Sequence, residues 1–134
     1  MAAAGRALGA RESTHRAALE VARRDCRVWH ERVRAAVDVF HAEASATGAS
    51  HVRLEVGEPR LDEKHVRAME FEIRRGRHVG IVVVKAKGEV TLVGPFRTGK
   101  TEGPCRSLPR DAESDIEAAL GEFLERFVEE ATAP

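Results

Sequence analysis

Apolar side chains recur at Leu19, Ala22, Cys26, Trp29, Val33, Ala36 and Phe40, in steps that alternate between three and four. That spacing sets them along one stripe of an α-helix, and residues 13–47 contain no Pro or Gly to interrupt it. Gly48 is placed to end it. At about 1.5 Å per residue such a helix is about 50 Å long, whereas a strand of about six to eight residues spans only about 20 to 27 Å. A helix that outreaches its sheet either breaks near residues 23–25 or meets a helix from a second subunit. Because the stripe continues on both sides of that point, the sequence favours a homodimer with Leu19, Ala22, Cys26, Trp29 and Val33 at its interface.

Beyond residue 50 the period changes to two. Val52, Leu54 and Val56 alternate with His51, Arg53 and Glu55, and Met69, Phe71 and Ile73 alternate with Glu70, Glu72 and Arg74, which predicts two strands with one wet face. Residues 79–84 are apolar on both faces and predict a central strand, entered by a tight turn at Arg75, Gly76 and Arg77. A turn at Lys87 and Gly88 leads to a fourth strand over residues 90–93. The link over residues 57–65 holds Pro59 and is expected to be a mobile hairpin end, and residues 94–110, with three of the five prolines, read as a long loop. Ser114 and Glu117 form a capping-box pattern ahead of a stripe of Ile116, Leu120, Phe123, Leu124, Phe127 and Val128. The expected fold is α+β, in the order α-β-β-β-β-α: a long amino-terminal helix, a four-stranded antiparallel meander, and a carboxy-terminal helix on one sheet face. Residues 1–12 are expected to be flexible and 13–134 to form a single domain.

Composition narrows the class. The 134 residues are 43% hydrophobic and 33% charged, enough apolar matter for one modest core. No apolar run approaches the roughly 18 residues of a bilayer helix, and the Ala-rich start is broken by Gly5, Arg6 and Gly9, so neither a span nor an export signal is expected. Two cysteines make no disulfide framework, and a soluble, cytoplasmic, bacterial-type protein is the expectation. Lys and Arg balance Asp and Glu at 22 each, but unevenly: residues 48–110 carry thirteen basic and eight acidic side chains, residues 111–134 one and eight. A basic middle and an acidic tail either neutralise each other or meet different partners.

Four patterns carry candidate chemistry. Residues 94–101 satisfy the phosphate-loop expression G-x-x-x-x-G-K-[ST], yet that loop needs a helix after its Lys-Thr pair, and here Gly103 and Pro104 follow closely. Arg74, Arg75, Arg77, Lys85, Lys87, Arg97, Lys100, Arg106 and Arg110 stand against only Glu89 and Glu102, a surplus suited to nucleic-acid phosphates, a phosphorylated ligand or an acidic protein surface. Tyr is absent and aromatic platforms for bases are few, which favours neutralisation within the fold. Cys26 and His30 share a helical face, but no second ligand pair accompanies them, and His15, His41, His51, His65 and His78 are scattered, so no metal is expected. Cys105 sits among cations that would favour its thiolate, without a sequence-evident His and carboxylate to complete a nucleophilic site.

The sequence thus reads as a non-catalytic homodimeric binding or adaptor domain without a cofactor. A nucleic-acid-binding protein using the basic segment 74–110 is the first alternative, and nucleotide binding at residues 94–101 the second.

Overall fold

The structure, a computed structural model, describes residues 1–62, 67–100 and 103–133. It is α+β: helix α1 (Ala2–Ala46), strands β1 (Glu55–Val56), β2 (Arg60–Leu61), β3 (Ala68–Arg75), β4 (His78–Lys85), β5 (Glu89–Arg97) and β6 (Cys105–Pro109), then helix α2 (Glu113–Ala131). The expected order holds, with six strands in place of four. Strands β3 to β6 are an antiparallel meander, and β1 and β2 both pair with β3 on its free side. Together they make one interrupted edge strand, with Pro59, which has no N–H to give a ladder, in the gap.

Register separates the two faces. Met69, Val84 and Val90 lie in one row and Phe71, Val82 and Leu92 in the next, all on the face that carries the helices. His30 of α1 meets Phe71 edge-on, with ring centroids 5.1 Å apart. The α2 rings of Phe123 and Phe127 lie over Gly80, where an added Cβ would stand 2.7 Å from Phe123 Cζ. Ala22, Cys26, Trp29, Val33, Phe71, Val82, Ile116 and Phe127 belong to one buried cluster. Burial of such side chains, at about 1.5 to 3 kcal/mol each for Val or Phe, holds the two layers together.

Several expectations change here. First, α1 begins at Ala2, so residues 2–12 are helical where a flexible segment was expected. An already nucleated helix propagates cheaply into Ala-rich sequence despite Gly5 and Gly9. Second, the proposed dimer interface is not one: Ala22, Cys26, Trp29 and Val33 are buried against the chain's own sheet, with Leu19 half-buried beside them. The apparent mismatch of lengths disappears because the stripe from Leu19 to Phe40 spans about 32 Å, and β3 to β5, with eight or nine residues each, span about 26 to 30 Å. What outreaches the sheet is the arm, residues 2–17, most of it ahead of the expected helix start at residue 13, and the helix runs unbroken through residues 23–25.

Third, the long loop is mostly sheet. Strand β5 continues to Arg97 through a bulge in which Gly80 faces both Gly94 and Pro95, and residues 105–109 form β6 at the sheet edge, where Pro109 is tolerated. The first strand shrinks to Glu55–Val56. The capping box is not formed either: α2 starts at Glu113 and no side chain caps it, while Glu113 and Asp115 favour its positive end. The remainder of the 57–65 link, including His65, lies partly outside the described residues.

Candidate binding groove and the basic surface

Where the α1 arm passes the β4–β5 end of the sheet, it encloses an open groove of about 870 Å³. One wall is helical, with Ala10, Thr14 and Ala18 one turn apart along α1. The floor comes from the sheet face away from the helices and includes Ala68, Val83 and Val93. Thr91 is the buried polar group of that floor, and its hydroxyl is satisfied by Ser107 Oγ at 2.9 Å. Among the described residues, Arg11, Arg67, Lys85 and Lys87 line the groove together with a single carboxylate, Asp62. Volumes between about 300 and 1,000 Å³ with mostly apolar walls and a few convergent charges are typical of ligand sites. Sequence reasoning missed this groove because its walls come from α1, β3, β4, β5 and β6, which only folding brings together.

The nine basic residues do not gather at one place. Arg74 pairs with Glu72 at 3.1 Å, Arg106 with Glu122 at 3.3 Å, and Arg110 with Asp25 at 2.9 Å. Lys85 and Lys87 share the same oxygen of Glu89, at 3.7 and 3.5 Å. Arg75 donates from Nε to the carbonyl of Ala131, at the carboxy end of α2, where a cation is favoured. Arg77, Arg97 and Lys100 have no ion pair among the described residues. The structure brings these three to one end of the sheet, since His78 pairs with Arg97 and the Thr98 N–H donates to Arg77 O.

Arg74 belongs to a second cluster on the outer edge of β3. Arg60 donates to Glu70 at 3.1 Å and to Glu72 at 2.7 Å, and these bonds raise the pKa of its guanidinium further. Burial would raise the Glu72 carboxyl, but hydrogen bonds from Arg60 and Arg74 outweigh it, leaving its pKa below the ordinary value. The cluster fastens β2 to β3 and uses up its own charges.

The phosphate-loop pattern does not form a phosphate loop. Gly94 has φ of +101° and a Cβ there would stand 2.9 Å from Val79 O, so the bulge requires it. Gly99, with φ of +94°, serves the turn closed by the Lys100 N–H to Arg97 O. Strand β6, and no helix, follows; Thr101 lies outside the described residues. Both glycines are therefore accounted for by the β5–β6 hairpin, and no helix terminus faces an anion there.

The Cys26 thiol is pushed up to about 12, mainly by burial, reinforced by the charge of Glu70. It stays protonated and packs as an apolar group. His30 donates from Nε2 to Gly57 O at 2.9 Å, which ties α1 to the edge of the sheet. His41 accepts the Leu54 N–H on Nε2 at 2.9 Å, and burial, with the charge of Arg53, lowers its pKa. No cluster of metal-ligating side chains occurs among the described residues. Cys105 is exposed and lines the groove, as does His15, but no hydrogen bond joins the two. No helix among the described residues is long and apolar enough to cross a membrane.

Comparison with family models, with curated proteins and with solved structures finds no match.

Proposed function

We propose that this chain is a non-catalytic binding domain that works as a homodimer, with the outer stripe of α1 as its pairing surface and the groove under the arm as its ligand site. The observation that carries this reading is the exposure of Val28 (46%) and Val39 (65%) on α1 while its opposite stripe is filled by the sheet. Val21, Val28, Ala35 and Ala42 recur every seven residues, the repeat with which one helix packs along another, and Val39 adds to the same stripe. A second copy presents the same stripe, so the surface complements itself under a two-fold axis. Its length, about 32 Å from Val21 to Ala42, matches the seam already used by the sheet. The interface thus shifts to the other side of the helix from the one suggested by the sequence.

Sedimentation equilibrium of the full chain tests this. The expected mass is twice 14.7 kDa. Val28→Glu with Val39→Glu should yield a monomer that melts cooperatively, because neither side chain is part of the buried core. A single-chain mass for the unaltered protein, or an undisturbed dimer in the double variant, would overturn the reading.

Contact with nucleic-acid phosphates is the second reading, supported by the unneutralised Arg77, Arg97 and Lys100. It requires binding of a labelled oligonucleotide that weakens steeply with salt and is lost in the triple Ala variant. Binding that ignores salt rejects it.

A further inference from the structure

We infer that the groove under the α1 arm binds a single-chain amphiphile with an anionic head, a fatty carboxylate. The inference rests on reading the chain as a binding domain and names the class of its ligand. Ala10 and Ala18 of α1, Ala68, Val83 and Val93 of the sheet and Ala86 of the β4–β5 turn give the groove an apolar lining. Its buried hydroxyl, Thr91, is already bonded to Ser107, so the floor asks nothing polar of an occupant. An alkyl chain is favoured there by removal of apolar surface from water.

Charge selects the head group. Among the described residues, four cations line the groove against the one carboxylate of Asp62. Lys85 and Lys87 divide one carboxylate, Glu89, between them, which leaves a net positive charge on that turn. Arg11 and Arg67 take part in no ion pair among the described residues, and Arg67 offers the planar fork that binds a carboxylate through two parallel hydrogen bonds. A nucleic acid would use the cations and leave the apolar floor wet. A neutral lipid would cover the floor and leave the cations without a partner. An anionic amphiphile satisfies both surfaces at once, in a volume suited to a small molecule.

Native mass spectrometry of the full chain with dodecanoate below its micelle concentration, backed by calorimetric titration, tests the inference and reads the oligomeric state in the same spectrum. The expected result is one dodecanoate per chain, with dodecanol and acetate binding at least about ten-fold more weakly, each having lost one half of the recognition. Arg11→Glu with Arg67→Glu should weaken dodecanoate by at least about ten-fold at low salt and leave the melting temperature unchanged, since both side chains are exposed. Equal binding of dodecanol, uptake that does not saturate, or an unaffected double variant would overturn it. Binding seen only after Val28→Glu and Val39→Glu separate the chains would show the groove filled by a second copy and would overturn it too. A dimer that binds no dodecanoate refutes the ligand alone, whereas a monomer that binds it refutes the homodimer alone.

Discussion

Gly80 lies directly under the Phe123 and Phe127 rings of α2, and replacing it by Ala measures how tightly the two layers fit there. The added methyl would stand 2.7 Å from Phe123 Cζ, 3.2 Å from Cε1 and 3.4 Å from Phe127 Cδ2. The first contact is shorter than packed carbon atoms allow, so the Phe123 ring must tilt away or α2 must lift. Overpacking of this kind costs about 1 to 3 kcal/mol. Loss of glycine freedom in the unfolded chain returns about 0.4 to 1 kcal/mol, so the net destabilisation is about 1 to 2 kcal/mol. With a urea dependence of about 1 to 3 kcal/mol per molar, the unfolding midpoint should fall by about 0.5 to 1 M, at unchanged slope. A double-mutant cycle locates the cause. Phe123→Leu alone opens space in the core, but combined with Gly80→Ala it should cost less than the sum of the two changes, with a coupling of at least about 0.5 kcal/mol. A midpoint that stays put or rises in Gly80→Ala, or additive costs in the cycle, would show that Phe123 does not lie on Gly80.

Other consequences are as direct. Because burial holds the Cys26 thiol at a pKa of about 12 while Cys105 is exposed, a disulfide reagent at pH 8 should label one thiol per folded chain and two after denaturation; rapid labelling of both in the folded state would contradict the packing. The Glu72 carboxyl binds protons more weakly in the folded chain than in the unfolded one, so its contribution is complete above about pH 4.5 and disappears as pH falls through the lower folded value. Glu72→Gln should flatten the decline in stability below that pH, and an identical acid limb in the variant would remove the Arg60–Glu72–Arg74 cluster from the account. His41 has a folded pKa lowered below 6.5, so its contribution is present above that pH and lost as pH falls through the folded value; His41→Ala should abolish that part of the pH dependence of the melting temperature. Deleting residues 2–12 should leave cooperative unfolding intact, as none of them is buried, while dodecanoate binding weakens several-fold through loss of Ala10 and Arg11.

Where periodicity was strong, the sequence was a sufficient guide. The stripe from Leu19 to Phe40 announced α1, the alternation around Met69, Phe71 and Ile73 announced β3, and the stripe from Ile116 to Val128 announced α2, because each element buries one face and so repeats its apolar residues at the period of its own geometry. Strand β6 left no such trace: of Cys105, Arg106, Ser107, Leu108 and Pro109, only Leu108 is buried. It is a strand because β5 offers it a ladder, and main-chain hydrogen bonds are blind to side-chain type.

For the candidate site the division is sharper. The inventory of cations over residues 74–110 was legible, but not their fates, since Asp25 is 85 positions from Arg110 and only folding sets the two 2.9 Å apart. The two glycines of the residue 94–101 pattern could be counted in advance, whereas their service to a bulge and a turn is a property of backbone angles. Sequence alone determined that this chain is α+β with a long amino-terminal helix, because hydrophobic period is a local quantity. Only the tertiary structure decided that the sheet occupies one stripe of that helix, leaves Val28 and Val39 on the other, and closes a groove with the arm, because which surface stays open depends on what the rest of the chain has already covered.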